Sequence, residues 1–237
     1  MVEYTIHPLV VGANETDQGV MTYLKGYGRR IWIPIYVFYL EGGDKKILVD
    51  TGLEQFVIPP EVGEQHGVEI LEFEDALATV GLEPEDIDII IHTHLHNDHC
   101  ENDYKCTNAK VYVQKVEKDF FDNPPPIDHR YYPDLLDDVD VVTVEGEAEI
   151  ADGIQVVPSP GHTPGTQSVL IQTSQGKAGI TGFCCNQENF PDKGPAVTPG
   201  VHTDALAAYE SIQRFREMTD IQLPLHDFSV GQRKRIP

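Results

Sequence analysis

Three histidines and an aspartate lie together in one short stretch of the chain. His94, His96, Asp98 and His99 fall within the run H-L-H-N-D-H, directly after an apolar segment that ends at Ile91. Imidazole nitrogen and carboxylate oxygen are donors that suit Zn²⁺, Fe or Mn, and side chains from so tight a cluster project to different sides. The cluster therefore predicts a metal site, and it has enough donors to serve two ions.

Other motifs that contain a histidine or an aspartate lie before and after this cluster. The segment P-G-H-T-P-G contains His162, L-H-D contains His226, and V-D-T-G contains Asp50 ahead of the cluster. With H-x-H-x-D-H, these motifs run in order from Asp50 to His226 and resemble the metallo-β-lactamase superfamily. The hairpin that ends at V-D-T-G and the tail that contains E-N-F are most similar to its N-acyl-homoserine lactonase branch.

The resemblance implies one domain over residues 1–237 with an α/β fold of four layers, αββα. It also implies hydrolysis by a metal-bound hydroxide, with Asp98 orienting the hydroxide or passing its proton to the leaving oxygen. Zinc is the expected metal, one ion or two, with iron or manganese as alternatives. Asp50 is expected to accept a hydrogen bond from a ligand histidine. The implied ligands are His94, His96 and His162 for the first metal and Asp98, His99 and His226 for the second.

One family motif is incomplete. The family places a metal-bridging aspartate after a strand, but here that stretch reads I-T-G-F-C-C-N, and the position falls on Gly182 or Phe183. Three outcomes stay open: a single metal, two metals bridged only by water, or a thiolate from Cys184 or Cys185 as a substitute ligand. The competing interpretation of both cysteines is burial as small apolar residues.

A second family residue is also missing. Lactonases of the branch carry a tyrosine that hydrogen-bonds the substrate carbonyl oxygen, and its place falls on Cys185 when the bridging position is Gly182. Removing one such donor costs on the order of a hundredfold in rate. The chain therefore supplies another donor or acts on a different substrate.

The elements that position these residues are mostly strands. Ile35–Leu40 and Ile47–Val49 predict a hairpin, and Ile87–Ile91 predicts a buried strand that delivers the histidine cluster. Near the C-terminus, Thr203 is the predicted cap of a helix whose apolar face is Ala205, Ala208, Tyr209, Ile212 and Phe215. The segment from Asn123 to Pro133 contains three consecutive prolines, so it predicts a loop that lies over the site.

The remaining histidines are expected to be structural or exposed. Strand alternation would point His92 in the same direction as His94, which makes contact with the metal shell an alternative for it. His129 belongs to the proline-rich loop with Tyr131 and Tyr132, and these side chains either line a substrate pocket or pack the loop down. The others are His7, His66 and His202.

The composition limits the partners. Seventeen basic and 39 acidic residues give a formal charge of −22, which repels phosphate backbones and anionic lipid. We therefore expect neither nucleic acid nor membrane as a partner, and a small, uncharged or weakly charged molecule as the substrate. A homodimer is an open expectation. Met1–Val10 shows no signal-peptide pattern, and the four cysteines form no C-x-x-C pair, so a cytoplasmic location with free thiols is expected.

The expected function is the opening of a lactone, ester or amide of a small molecule. A glyoxalase-like thioesterase would share most of the ligands but calls for basic residues near an anionic substrate, and the nearest are Lys105, Lys110 and Arg130. A catalytically inactive metal-binding or sensing protein is the alternative from another class. A redox di-iron role is disfavoured because His96 stands where a glutamate would be needed.

Overall fold

The strand Arg30–Glu41 shows how the chain divides its apolar side chains between two faces. In the computed structural model, which describes residues 1–54 and 58–237, Phe38 and Leu40 are buried in one cluster while Val37 and Tyr39 belong to another. Successive side chains of a strand point to opposite faces. One strand that is apolar at nearly every position therefore supplies two separate cores.

The described residues form strands and short helices in alternation. The strands are β1 (Thr5–Asp17), β2 (Arg30–Glu41), β3 (Ile47–Val49), β4 (Ile89–Ile91), β5 (Lys110–Gln114), β6 (Asp140–Val144), β7 (Ala148–Ala151), β8 (Ile154–Pro158), β9 (Gln167–Thr173), β10 (Gly176–Ile180) and β11 (Ile221–Leu223). The helices are α1 (Gln18–Met21), α2 (Glu61–His66), α3 (Phe73–Ala78), α4 (Asn97–Cys100), α5 (Lys115–Asp122), α6 (Ala205–Met218) and α7 (Phe228–Gln232).

These strands form two sheets. The first has the order β1-β2-β3-β4-β5-β6, and the second has the order β11-β10-β9-β8-β7. In the first sheet β3, β4, β5 and β6 run parallel. The carboxyl ends of parallel strands meet at one edge, so the residues that follow β3 and β4 become neighbours.

The sheets pack face to face and carry helices on their outer faces. The central cluster combines Phe38 and Ile91 of the first sheet with Val169 and Ile171 of the second. On the outside of the first sheet α3 contributes Phe73, Ala76 and Leu77, and on the outside of the second α6 contributes Ile212 and Phe215. The result is the predicted four-layer αββα arrangement.

Several predicted elements are confirmed. The hairpin forms as β2 and β3, which pair antiparallel, and the isoleucine run forms the buried strand β4. The C-terminal helix also forms, but its cap is wrong by one residue. The carboxylate of Asp204, rather than Thr203, accepts hydrogen bonds from the backbone N–H groups of Leu206 and Ala207. Tyr209, predicted on the buried face, is 42% exposed.

The long strand β1 is absent from the sequence-based prediction. It contains Pro8 and a bulge between Val10 and Gly12, features that usually argue against a regular strand. Both are tolerated because β1 lies at the edge of its sheet, where β2 is its neighbouring strand and a single bridge joins Ile6 to Ile236 on the other side. Among the helices of residues 1–54 and 58–237, none combines the length and the hydropathy that a bilayer crossing requires.

Candidate metal centre

The six candidate ligands come from four places at one edge of the sheets. His94 and His96 follow β4, and Asp98 and His99 lie on α4 immediately afterwards. One histidine follows β8 and another follows β11, and both reach the same place. The ligand atoms of each triad lie within 4.8 Å of one another; the triads are His94, His96, His162 and Asp98, His99, His226.

The three rings of the first triad are nearly perpendicular to one another. Their centroids are 4.6 Å apart for His94 and His96, 4.7 Å for His94 and His162, and 4.9 Å for His96 and His162, with interplanar angles of 90°, 88° and 87°. Stacked rings would run parallel, whereas three donors that converge on one point arrive from different directions. The second triad is adjacent, since the centroids of His94 and His99 are 4.1 Å apart.

Partners outside the triad hold one nitrogen of each ring. His94 Nδ1 donates to Thr93 Oγ1 at 3.1 Å, whose own hydrogen goes to Asp50. His96 Nε2 donates to Asp128 Oδ2 at 3.3 Å. His162 Nδ1 donates to a backbone carbonyl, that of Val201, at 3.0 Å. Each contact fixes the tautomer and leaves the opposite nitrogen as the available ligand.

One of these remaining nitrogens has no partner although it is buried. Within the described residues, His94 Nε2 makes no hydrogen bond. A buried polar atom normally finds a partner, because leaving it unpaired costs about 1–3 kcal/mol. Burial also lowers the pKa of His96 to about 4, so this ring is neutral at pH 7, as a metal ligand must be. The residues therefore fit a divalent metal.

The second triad is held in the same way. His226 Nδ1 donates to the carbonyl oxygen of Pro34 at 2.9 Å, and His99 Nδ1 donates to Asp50 Oδ2 at 2.8 Å. Asp98 has a side chain that is 18% exposed, and it lines the cavity. One carboxylate and two imidazoles are thus available to a second ion.

Asp50 is the central buried acceptor behind both triads. Its carboxylate also accepts from the backbone N–H and the hydroxyl of Thr93, each at 2.8 Å. Burial would raise its pKa, but the facing rings of His99 and His92 lower it below the ordinary value, so the group stays ionised. Its backbone φ of 58° is uncommon for a residue other than glycine, and such conformations concentrate at functional sites.

His92 does not face the metal cavity. Its ring is completely buried, with Nε2 2.7 Å from Asp103 and Nδ1 3.4 Å from Asp50. The alternation argument is wrong here because the chain turns directly after β4, so the regular strand geometry ends before His94. Although burial alone would lower it, the carboxylates of Asp103 and Asp50 raise the pKa of His92 to about 10.

Glu117 is a further site residue that no sequence motif indicates. Its buried carboxylate accepts from Leu95 N at 3.0 Å, from Thr163 Oγ1 at 2.5 Å and from Gly165 N at 3.2 Å. It therefore ties the turn that carries His94 and His96 to the turn that carries His162. Nothing in the sequence around Glu117 distinguishes it from a surface acid on a helix, because its role depends on contacts with residues far along the chain.

The proline-rich loop meets the site through Asp128, which accepts from His96, and through Arg130. Tyr131 is buried and donates to Glu117, and Tyr132 and His129 are exposed, so the aromatic residues do not line the cavity. Arg130 does line it. The cavity has a volume of about 310 Å³ and contains all six candidate ligands. A larger cavity, of about 590 Å³, lies between β1, α2 and α3 and includes none of them.

The stretch that lacks the bridging aspartate leaves no room for one. A Cβ at Gly182 would lie 1.9 Å from the backbone oxygen of Gln167. Phe183 points into the cluster beneath α6, where its ring centroid is 5.9 Å from that of Phe215. Neither alignment of the family motif therefore brings a side chain from this stretch into the bridging position.

The two cysteines have different surroundings, and both triads form without them. Cys185 is buried with its Sγ 3.2 Å from Thr181 Oγ1. Cys184 lines the cavity, but its Sγ lies 3.8 Å from Met21 Sδ, and burial raises the pKa of its thiol well above the usual range. In the described chain, no group of converging donors includes a cysteine.

Comparisons with known proteins agree with this geometry. The family model of the metallo-β-lactamase superfamily matches residues 30–182. An N-acyl homoserine lactonase of Bacillus thuringiensis subsp. kurstaki is 28% identical over 216 residues, which cover 84% of this chain and 81% of that protein. A probable metallo-hydrolase of Methanocaldococcus jannaschii is 28% identical over 158 residues, covering 67% and 66%.

Solved structures extend the similarity to the whole fold. An N-acyl homoserine lactone hydrolase with its product, N-hexanoyl-L-homoserine, bound at the catalytic metal centre has a TM-score of 0.76 and 26% identity, covering 97% of this chain and 95% of that one. The dizinc quorum-quenching lactonase AidC, at 18% identity and TM-score 0.70, shares the fold over 96% of this chain and 89% of its own.

Two packed sheets with a cluster of histidines at one edge are typical of a class of metal-dependent hydrolases. The chain belongs to the metallo-β-lactamase superfamily. Within it, the N-acyl homoserine lactonase branch is the one that the curated relatives and the structural neighbours support. The predicted family, branch and fold class are thus confirmed. Divalent metal binding follows from the family and the two triads.

Replacing one candidate ligand should release metal. His94→Ala and His162→Ala are each expected to reduce metal affinity by more than the roughly 10- to 100-fold loss that removing an outer partner causes. Elemental mass spectrometry of the purified variants measures the metal content that follows from this affinity. His7→Ala is the matched control, because His7 pairs with Glu41 and is not part of either triad. Full metal content in His94→Ala would contradict the site.

Removing either thiol should leave the metal in place. Cys184→Ala and Cys185→Ala are expected to keep the metal content of the unmodified protein, because the six other donors converge without a sulfur atom. The free energy of unfolding should still fall for Cys185→Ala, whose side chain is fully buried. If metal is lost in one cysteine variant while the fold is intact, that thiolate is a ligand.

Restoring the missing carboxylate by substitution should fail. Gly182→Asp is expected to lower the free energy of unfolding by about 1–3 kcal/mol or more, since its Cβ meets backbone that cannot move freely. Gly182→Ala should lower it similarly, which separates the effect of the Cβ from that of the charge. Chemical denaturation measures both. An aspartate variant of unchanged stability that binds additional metal would contradict this packing.

Proposed function

We propose that the protein is a zinc-dependent hydrolase that opens a lactone or a related ester of a small molecule. The observation that carries this proposal is the pair of triads at one cavity, in which each histidine is held at one nitrogen and offers the other. Five imidazoles and one carboxylate form a donor set that suits zinc better than the oxygen-rich sites of Mg²⁺ or Ca²⁺.

The metal and the chain would divide the chemistry. A divalent metal would lower the pKa of a water towards neutrality, which activates it as a nucleophile, and would polarise a carbonyl oxygen. His94, His96 and His162 would hold the first ion, and Asp98, His99 and His226 the second. Asp50 and Asp128 keep ligand rings in the tautomer that leaves a nitrogen free.

Asp98 is the group placed to move a proton. Its carboxylate lines the cavity, and the nearby rings of His99 and His226 lower its pKa although burial opposes this, so it is ionised and can accept a proton at neutral pH. We assign it the transfer of a proton from the attacking water to the alkoxide oxygen that leaves the opened ring.

The cavity supports a small substrate with an apolar part. The residues that line it include the apolar Val20, Met21, Ile33 and Val201, and a volume of about 310 Å³ is at the lower end for small-molecule sites. A five-membered lactone and the first carbons of a side chain match that size. Several curated relatives are N-acyl homoserine lactonases, so N-acyl homoserine lactones are the first candidates.

The alternative functions are less well supported. A glyoxalase-like thioesterase needs several cations for an anionic substrate, but Lys105 is paired with Glu74 at 2.7 Å and does not line the cavity, and neither does Lys110. A protein that only stores or senses metal would close its site, whereas these ligands line an open cavity.

Hydrolysis of a panel of compounds tests the proposal. The zinc-loaded protein should open N-hexanoyl-L-homoserine lactone or γ-butyrolactone, adding one water to the mass of each, with a rate that disappears on chelation and returns with zinc. His94→Ala should be inactive. Turnover of a glutathione thioester without turnover of any lactone would support the thioesterase instead, and metal binding without turnover would support the inactive alternative.

A further inference from the structure

Hydrogen bonds at both ends of Arg130 fix it in the cavity that the six candidate ligands line. Its guanidinium pairs with Asp128 through two hydrogen bonds, from Nε at 2.8 Å and from Nη2 at 2.6 Å. Its carbonyl oxygen accepts from the backbone N–H of Asn97, the first residue of the helix that carries Asp98 and His99. Both ends of the residue are thus fixed relative to the candidate ligands.

The pairing with Asp128 leaves part of the Arg130 guanidinium available. The hydrogen bonds among the described residues use Nε and Nη2 and give Nη1 no acceptor in the protein. The side chain lines the cavity and is 39% exposed.

The position of the family's tyrosine offers no strong hydrogen-bond donor to a substrate carbonyl oxygen in this cavity. The place of the family's tyrosine falls on Cys185 when the bridging position is Gly182, and Cys185 is buried against Thr181 and does not line the cavity. Cys184 does line it, but a thiol is a weak donor, and Met21 lies beside this one. Among the described residues that line the cavity, Arg130 alone has a basic side chain other than histidine.

We propose that Arg130 is a catalytic residue that donates a hydrogen bond from Nη1 to the carbonyl oxygen of the substrate, in the role that tyrosine has in related lactonases. This inference rests on the lactone hydrolysis proposed above. Arg130 stabilises the negative charge that develops on the carbonyl oxygen, while Asp98 transfers the proton. The net charge of −22 does not oppose it, because charges beyond about 8 Å are largely screened at physiological salt.

The reaction explains why a cationic donor suits this position. Water oxygen adds to the carbonyl carbon, the carbonyl oxygen becomes negative, the ring C–O bond then breaks, and the ring oxygen takes a proton to become an alcohol. The former carbonyl oxygen ends as one oxygen of the product carboxylate, and the second proton of the water is released to solvent when the carboxylic acid ionises. A guanidinium already held by Asp128 binds this oxygen more strongly as its charge develops, which lowers the barrier.

Asp128 connects Arg130 to a candidate metal ligand, so the experiment must distinguish a role in holding that ligand from a role in binding substrate. The same carboxylate accepts from His96 Nε2, so a purely structural Arg130 would act by holding Asp128 and hence His96. Such a role predicts loss of metal when Arg130 is removed. A donor to substrate predicts instead a lower kcat with the metal retained.

The experiment compares zinc-loaded Arg130→Ala and Arg130→Lys with the unmodified protein. The measured quantities are zinc content, kcat and KM for the lactone, and the Kd of 4-hydroxybutanoate by calorimetry. Arg214→Ala is the control, since Arg214 pairs with Glu147 on the surface of α6. We expect Arg130→Ala to retain zinc, to lose about 100-fold in kcat with a smaller change in KM, and to bind the carboxylate about tenfold more weakly.

Two further results complete the expected pattern. Guanidinium ion added to Arg130→Ala should restore part of the lost kcat, and Arg130→Lys should fall between the two because an ammonium cannot hold Asp128 and also present a second donor in the same geometry. Arg214→Ala should behave like the unmodified protein in every measurement.

Distinct outcomes overturn the inference and the proposed function. Unmodified kcat and carboxylate affinity in Arg130→Ala would show that Arg130 is not a donor. Loss of zinc in that variant, with no recovery of activity by guanidinium, would make Arg130 a structural clamp. If the unmodified protein opens no lactone, the proposed function fails, and the calorimetry alone decides whether Arg130 binds a carboxylate oxygen.

Discussion

The hydrogen bonds to Asp50 connect the fold to the site. This buried carboxylate follows β3, and it accepts from Thr93, which follows the neighbouring parallel strand, and from His99 on the helix beyond. Because β3 and β4 are parallel, their carboxyl ends are brought together by the sheet itself. A carboxylate at that position orients ligands of both triads: His99 directly, and His94 through the hydroxyl of Thr93.

The same principle extends to every ring of the site. Each histidine is held at one nitrogen by an acceptor, and four of these acceptors lie far from their histidine in the chain: Asp50, Asp128, Val201 and Pro34. The fifth, Thr93, directly precedes His94 and is itself held by Asp50. Glu117 joins two of the turns that carry them. Ligand geometry is thus set by the folded protein, so little conformational entropy remains to be lost when an ion binds.

Electrostatics at the centre differ from those that a bridging carboxylate would give. The six candidate ligands include one carboxylate, Asp98, and Gly182 is packed too closely to provide another. Two divalent ions would therefore share less negative charge, and anionic oxygens of a substrate or product would be attracted more strongly. Arg130 increases that preference, and Asp128 offsets part of its charge.

The sequence was sufficient for some features of this molecule and insufficient for others. The six-residue histidine cluster, the hairpin before Asp50 and the family follow from local patterns that do not need the fold. Glu117, Asp128 and Arg130 could not be assigned, because their roles arise from contacts between segments far apart in the chain. His92 is structural, as expected, and the alternative that it contacts the metal shell is wrong because strand alternation does not continue into a turn. The single domain, the cytoplasmic location and the homodimer remain predictions.

The central claim is that the six side chains form a metal centre whose ligand atoms are the nitrogens left free by their outer partners. Anomalous diffraction from crystals grown with zinc tests it most directly. We predict a zinc peak about 2.0–2.1 Å from Nε2 of His94, Nδ1 of His96 and Nε2 of His162, and a second zinc beside Asp98, His99 and His226. Zinc bound through Cys184, or no peak at this edge of the sheets while the six side chains keep their positions, would contradict it.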